Sequence, residues 1–289
     1  MRTVTKDTIT GAFLDYCGAE TDPRLRFVLE KLVAHLHDFS REVKLTHAEW
    51  RKGIELLTRA GDITDAERNE FVLMSDVFGL SSLVDMINSP DDATPASVLG
   101  PFHILGAPEL PVGGDLKKDN AGETVIVQGK VTNTDGEPLA GAVIEIWQTA
   151  DNGLYSNQDA DQPDYNLRGR MKLGDDGLYA FTTVRPAPYT VPSDGPVGDL
   201  LSATGRHPWR PSHLHFIVMA ETYRTLVTEV FPDDDPYLDE DAVFGVRQGL
   251  LARYKRHEDI AEAPAGLVAG ERLTVPFFTV EFDFALAPA

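Results

Sequence analysis

Arg210-Pro211-Ser212-His213-Leu214-His215-Phe216-Ile217-Val218 passes from a proline-punctuated loop into an apolar run. Such a passage reads as the entry to a β-strand. Residues i and i+2 of a strand point to the same face, so the imidazoles of His213 and His215 can converge on one point. Two readings follow: a pair of nitrogen donors for a metal ion, or two buried histidines packed among neighbours.

Outward from this stretch the chain keeps a β-like period. Residues 124–131 read as a strand, Asn133-Thr134-Asp135-Gly136 as a turn, and 142–147 (Ala-Val-Ile-Glu-Ile-Trp) as a second, alternating strand. Asp175-Asp176-Gly177 leads into a strand at 178–184, and 213–219, 226–231 and 273–284 complete the set. Short strands at this spacing, with few helical stretches between them, predict an antiparallel β-sandwich. Two irregular inserts, 152–174 and 187–211, interrupt it. Loops longer than about 15 residues in a compact domain are usually functional.

The first ninety residues are different. Asp22 reads as an N-cap with Pro23 at the first helical position, and Leu25, Leu29, Leu32, Leu36 and Phe39 then form one narrow apolar stripe. Thr46-x-x-Glu49 and Thr64-x-x-Glu67 read as capping boxes that open further amphipathic helices, the second carrying Phe71, Met74, Val77 and Phe78. Residues 80–87 continue as helix or as a short separate one. Ser89-Pro90-Asp91-Asp92-Ala93-Thr94-Pro95 breaks the pattern. The expected class is therefore α+β, with a helical domain at 1–95 and a β-sandwich catalytic domain at 96–289. The leucine stripe could pack on its own domain or on a second subunit.

A net charge of −20 disfavours a nucleic-acid partner, which needs a basic face. No apolar run approaches the roughly 18 residues that span a bilayer, and the segment Met1-Arg2-Thr3-Val4-Thr5-Lys6-Asp7 lacks a signal-peptide core. Cys17 is the only cysteine, which rules out an intramolecular disulfide and fits a reducing, cytoplasmic setting.

Each insert carries a tyrosine just beyond a strand end: Tyr155 in Asn152-Gly153-Leu154-Tyr155-Ser156, and Tyr189 in Pro186-Ala187-Pro188-Tyr189-Thr190. A loop tyrosine is ordinarily an amphipathic packing residue. Two of them ahead of a His-x-His strand start also make a candidate donor set of two phenols and two imidazoles. Such a set selects its metal, because a phenol binds only after loss of a proton with an ordinary pKa near 10. A trivalent cation drives that loss; divalent zinc ordinarily takes His, Cys or carboxylate.

At these residues the chain resembles the intradiol ring-cleavage dioxygenases, non-haem Fe(III) enzymes that open catechols. The motifs are Gly153-Leu154-Tyr155-Ser156, Pro188-Tyr189 and Arg210-Pro211-Ser212-His213-Leu214-His215. The helical N-terminus and Leu99-Gly100-Pro101-Phe102 match as well, so the resemblance covers essentially the whole chain. It is similar to the branch that cleaves catechol, chlorocatechol and hydroxyquinol. The phrases Val98-Leu99-Gly100-Pro101-Phe102-His103, Pro192-Ser193-Asp194-Gly195-Pro196-Val197-Gly198, Arg206-His207-Pro208-Trp209-Arg210-Pro211 and Asp241-Ala242-Val243-Phe244-Gly245-Val246 resemble the hydroxyquinol-cleaving members.

The resemblance implies one Fe(III) per subunit, ligated by Tyr155, Tyr189, His213 and His215. Tyr189 is implied to leave the metal and take a substrate proton, while Arg210 stabilises charge on the ring. It further implies a pocket wall of Leu73, Asp76, Val98, Leu99, Gly100, Pro101, Phe102, Val191, Pro192 and Val243, with Arg210 also at the substrate. The implied partners are an aromatic diol or triol and O2, with a homodimer formed through the N-terminal helices and a lipid at that interface. Asp76 either accepts a hydrogen bond from the third hydroxyl of hydroxyquinol or is a solvated or capping carboxylate. Glu229 stands where catechol-cleaving relatives carry glutamine, and would either add negative charge behind the metal or pair with Arg210. Two readings of other classes use the same residues: a non-catalytic β-sandwich binding module, and a zinc hydrolase built on His213, His215 and Glu229.

Overall fold

A computed structural model describes residues 3–65, 68–267 and 273–289. The chain divides into two compact units, 1–59 and 60–289. In the first, helix α1 (Ile9–Tyr16) contacts helix α2 (Pro23–Glu42). Arg41 of α2 donates to the Lys6 carbonyl and to Thr10 Oγ1, and His37 Nδ1 lies 3.0 Å from the same hydroxyl. The Asp22 carboxylate caps α2 by accepting from the Leu25 amide at 2.8 Å, as its sequence predicts. Thr46 and Glu49 exchange hydrogen bonds as a capping box ahead of α3 (His47–Asp62). The α2 stripe stays uncovered: Leu25, Leu32, Leu36 and Phe39 are each about half exposed.

In the second unit, α4 (Glu70–Val77) and α5 (Leu80–Asn88) are separate helices, and α4 packs on α6 (Pro196–Ala203). The helix bearing Phe71 and Met74 is capped by Asn69, whose side chain accepts from the Phe71 and Val72 amides. It therefore starts later than the Thr64-x-x-Glu67 box suggests; Glu67 lies outside the described residues.

Two sheets follow. One is built from β1 (Gly114–Asp115), β2 (Thr124–Asn133), β5 (Leu178–Val184), β11 (Lys255–His257), β12 (Phe277–Glu281) and β13 (Phe284–Leu286). The other is ordered β10 (Leu251–Ala252), β9 (Leu226–Pro232), β8 (Leu214–Met219), β3 (Val143–Trp147), β4 (Arg168–Lys172). Their inner faces share one core, with Val125, Val127 and Phe181 facing Ile144, Ile146, Phe216 and Val230. A short ladder, β6 (Tyr189–Thr190) with β7 (Trp209–Arg210), stands apart from both.

The principal ladders are antiparallel, but β12 and β13 run parallel to β2. The predicted strand at 273–284 starts only at Phe277, after Pro276, which has no amide hydrogen for a ladder. It also breaks at Phe282 and Asp283, where the Asp283 side chain, not backbone, accepts from the Lys130 amide. The inserts are less irregular than their sequences suggest. The first contains β4, whose Arg-Gly-Arg-Met-Lys composition gives little strand signal, and the second contains α6, with Pro196 in its first turn.

Candidate active site

Register across one sheet sets the inner part of the site. Trp147 on β3 is directly opposite His215 on β8, and His215 is directly opposite Glu229 on β9. Directly opposed residues share a face, so indole, imidazole and carboxylate line up. The Trp147 and His215 rings stack at 4.6 Å and 3°, which fixes the imidazole plane. β8 starts at Leu214, one residue later than predicted, so His213 lies just before it. Its Nδ1 is 2.8 Å from the Pro211 carbonyl. A carbonyl only accepts, so Nδ1 carries the hydrogen and Nε2 presents a lone pair. That Nε2 lies 3.1 Å from His215 Nε2.

The tyrosines arrive from the two inserts. The turn at 150–154 is closed by the Ala150 amide donating to the Leu154 carbonyl, and Tyr155 follows it, fully buried. Its hydroxyl is 3.0 Å from His215 Nε2, and Phe102 stacks on its ring at 4.7 Å. Tyr189 is brought in by the β6–β7 ladder, directly opposite Arg210, whose Nη1 donates to the Tyr189 hydroxyl at 3.4 Å. The two phenol rings meet edge to face at 5.5 Å.

Electrostatics suit this group to a cation. Burial pushes the Tyr155 hydroxyl well above its ordinary pKa, and Tyr189 beside it adds to the effect. Burial raises Tyr189 too, although Arg210 opposes the shift. Burial, with His213 and Arg210 adding to it, lowers His215 far below the ordinary imidazole value; burial and Arg210 lower His213. Neutral imidazoles offer lone pairs, and phenols this resistant to ionisation need strong positive charge in their midst to become ligands. Two donors each about 2.0–2.1 Å from one ion lie about 3 Å apart. The spacings of Tyr155, His215 and His213 meet that condition.

A carboxylate, Glu229, is also near enough to form a metal-sized cluster with the two histidines. Its oxygens are already engaged. Oε1 accepts from Arg210 Nη1 at 2.8 Å, and Oε2 accepts from Arg210 Nη2 at 3.0 Å and from Ser97 Oγ at 2.7 Å. Burial opposes its charge, but Arg210, His213 and Ser97 together hold it below the usual carboxylate range. Glu229 pairs with Arg210, and the same Oε1 lies 3.4 Å from His213 Nε2 and 3.6 Å from His215 Nδ1, so its charge also stands behind the two imidazoles. Asp241 takes two more hydrogens of the Arg210 guanidinium, accepting from Nε at 3.1 Å and Nη2 at 3.2 Å. The same carboxylate accepts from the Val243 and Gly245 amides. A Cβ at Gly245 would lie 2.5 Å from Arg210 Nη2 and 2.8 Å from Glu229 Oε2, so this position must stay bare for the three charges to meet.

Above the donors opens a cavity of about 620 Å³. Leu73, Asp76, Val98, Leu99, Gly100, Pro101, Phe102, Val191, Pro192, Arg210 and Val243 all line it, together with Tyr189. Every wall residue expected from the sequence is thus in one place. Gly100 adopts a left-handed φ of 72°, and a Cβ there would come within 3.4 Å of His215 Cε1. Asp76 is partly buried; burial raises its pKa while a hydrogen bond from Ser81 opposes the rise. The lining also includes Asp65, Arg68, Asn69, Val72, Ser81 and Asp85, which sequence reading did not single out. Nor did it single out Trp147, Ser97 or Asp241 as parts of the site. Trp147 shows in sequence only as an apolar strand position, and Ser97 and Asp241 carry no local signal, because their partners lie 132 and 31 residues away in the chain.

The comparisons with known proteins agree with this geometry. Residues 109–288 match the family described as Dioxygenase, and residues 22–95 match the one described as Catechol dioxygenase N terminus. The chain is 45% identical to hydroxyquinol 1,2-dioxygenase of Rhizobium sp. (strain MTP-10005) over 96% of its length and 97% of that protein. It is 46% identical to the Nocardioides simplex hydroxyquinol 1,2-dioxygenase over 94% and 92%. The crystal structure of the Pseudomonas putida DLL-E4 hydroxyquinol 1,2-dioxygenase superposes with a TM-score of 0.91 at 42% identity, covering 98% of this chain and 99% of that one. Wild-type Acinetobacter radioresistens catechol 1,2-dioxygenase gives a TM-score of 0.82 at 30% identity, covering 100% and 95%. The chain belongs to the intradiol ring-cleavage dioxygenase family.

Proposed function

We propose that this enzyme is a hydroxyquinol 1,2-dioxygenase that joins 1,2,4-trihydroxybenzene and O2 to give 3-hydroxy-cis,cis-muconate, the enol form of maleylacetate. Both oxygen atoms enter the product and the ring opens between the two adjacent hydroxyl carbons. One Fe(III) per subunit would be held by Tyr155, Tyr189, His213 and His215. The observation that carries the reading is the meeting of two buried phenols and two neutral imidazoles beside a cavity that Tyr189 lines, with Asp76 in its wall. When bound, the ferric ion supplies Lewis acidity that favours the diol as a dianion and draws electron density from the ring, so that the ring becomes reactive toward O2.

The chain's own groups do the rest. Tyr189 Oη takes a proton from a substrate hydroxyl, and Arg210 Nη1, 3.4 Å away, steadies that oxygen through the exchange. Four of the five guanidinium hydrogens of Arg210 are taken up by Glu229 and Asp241. Arg210 therefore serves the substrate as one aimed N–H donor, and the net charge of its cluster is negative. That donor faces the Tyr189 hydroxyl and would serve the negative charge that develops on the ring once Tyr189 has turned to the substrate proton. Val98, Leu99, Phe102, Val191, Pro192 and Val243 keep water from the ring's faces.

Size does not select the substrate. The cavity far exceeds the roughly 150 Å³ that accommodates a benzene-sized guest, so polar contacts must discriminate. Asp76 accepts the third hydroxyl of hydroxyquinol, and catechol leaves that acceptor unpaired, at about 1–3 kcal/mol. Oxygen uptake compared on hydroxyquinol, catechol and chlorocatechols, with the visible spectrum of the iron-loaded protein, tests the reading. A preference for catechol reassigns the substrate, and an iron-loaded protein without a phenolate-to-iron band removes the ferric site.

The apolar stripe left uncovered on α2 supports a homodimer through the N-terminal helices, with a lipid chain as a further occupant of that apolar surface. Among the described residues no helix is long and apolar enough to cross a membrane, and the single cysteine suits a cytoplasmic setting.

A further inference from the structure

We propose that Arg168 is a positioning residue that clamps Tyr155 and supplies the buried positive charge facing it; this rests on the ferric site proposed above. Arg168 opens β4, directly opposite Trp147. Arg168, Trp147, His215 and Glu229 are therefore successive direct neighbours across four strands, and they share one face of the sheet. A cation stands at one end of this row and an anion at the other.

The anion is neutralised by Arg210; the cation has no such partner. Arg168 is 3% exposed, and among the described residues no carboxylate forms an ion pair with it. Nε donates to Ser156 Oγ at 2.9 Å and Nη2 donates to Asn157 Oδ1 at 3.0 Å, both neutral acceptors, while the buried Nη1 has no hydrogen-bond partner. The guanidinium carbon lies 5.8 Å from the centre of the Tyr155 ring, over its face. Ser156 and Asn157 directly follow Tyr155, so one side chain holds both the ring and the side chains of the two residues next to it. Burial brings the guanidinium pKa down to about 10, which leaves it a cation at neutral pH.

An ion buried among neutral groups is destabilising. The cation beside Tyr155 becomes favourable when that ring carries negative charge, as a ligated phenolate does. Arg168 thus opposes the apo state and favours the metal-bound one. A structural arginine would support both states equally.

The test compares Arg168→Met and Arg168→Lys with the unaltered protein. It uses iron titration of the metal-free chain, the position and intensity of the phenolate-to-iron band, and thermal unfolding with and without iron. Arg168→Met should weaken iron binding by about 10–100-fold, as loss of a group that orients a metal ligand does, and should shift the band. It should leave the metal-free protein as stable as before or more so, because a buried lone charge has gone. Arg168→Lys, which keeps the charge and loses the two-armed clamp, should recover the band position in part. If Arg168→Met does not fold, Arg168→Gln, whose amide can still donate to Ser156 or Asn157, takes its place in the same measurements. Unchanged iron affinity and an unchanged band in a protein whose unaltered form is coloured would overturn this inference alone. Equal destabilisation of the apo and iron-loaded forms overturns it as well. A colourless iron-loaded parent protein overturns the ferric site and this inference with it.

Discussion

The two arginines beside the two tyrosines are opposites. Arg210, next to Tyr189, is held by Glu229 and Asp241 and belongs to a cluster with a net negative charge. Arg168, beneath Tyr155, is equally buried but held only by a hydroxyl and an amide oxygen. The same residue type therefore does different work on the two sides. One arginine is a locked scaffold that offers a single aimed hydrogen; the other is an uncompensated charge. On the proposed reading, the phenol beside the locked arginine exchanges a proton and the phenol beside the uncompensated charge is held in place.

The sharpest way to break the comparison is to remove the proposed iron ligands. Tyr155→Phe or His213→Ala should lower kcat/KM by about 10³-fold or more, a loss of over 4 kcal/mol of transition-state stabilisation, and should abolish the visible band. Steady-state oxygen uptake and absorption spectra check both.

Removing Arg210 comes next. Arg210→Ala leaves Glu229 and Asp241 buried without their counter-ion, so about 3–5 kcal/mol of folding stability should go with it. The loss of an aimed donor should lower kcat by about 10²–10³-fold. Denaturant unfolding and single-turnover kinetics separate these effects. Asp241→Asn keeps an acceptor at Arg210 and should fall well short of both losses.

Asp76→Leu probes the other end of the cavity. The kcat/KM for hydroxyquinol should drop by about 10–100-fold, while that for catechol should hold or rise, so the ratio of the two is the quantity to measure.

The smallest effect concerns pH. Burial raises the Asp76 pKa above its unfolded value, so ionisation of Asp76 weakens the fold. That penalty is absent below the unfolded pKa, near 3.9, and grows until pH passes the raised folded value. Asp76→Asn should therefore be more stable than the parent at neutral pH, with the gain fading as pH falls through that window. Thermal unfolding from pH 7 to pH 4 would show it; a pH-independent difference would mean that Asp76 is not a strained carboxylate.

Much of this was legible in the chain. Period-2 alternation marks the strands because sheet faces demand it, and Asp22-Pro23 and Thr46-x-x-Glu49 mark helix starts because orphan amides need local acceptors. The two phenols and two imidazoles were legible as candidate donors because strand ends and the His-x-His spacing are local, and the wall of the cavity was legible only through the family resemblance of its motifs. The strand at 168–172 was hidden, since Arg-Gly-Arg-Met-Lys is a poor strand sequence that forms through its ladder with β3. The cap at Asn69 was obscured by a stronger-looking signal a few residues earlier.

By itself, the sequence determined the α+β order in short-range patterns and made two phenols and two imidazoles candidate donors, while the wall of the cavity came from the family resemblance. Only the tertiary structure decided the charges around them. Glu229 could have served the histidines or Arg210, and the fold set it between them by bringing Ser97, Asp241 and a bare Gly245 to the same point. Arg168 became a partner of Tyr155 because cross-strand register put it one strand beyond Trp147. Coulomb interactions and desolvation depend on distances through space, and no spacing along the chain encodes those.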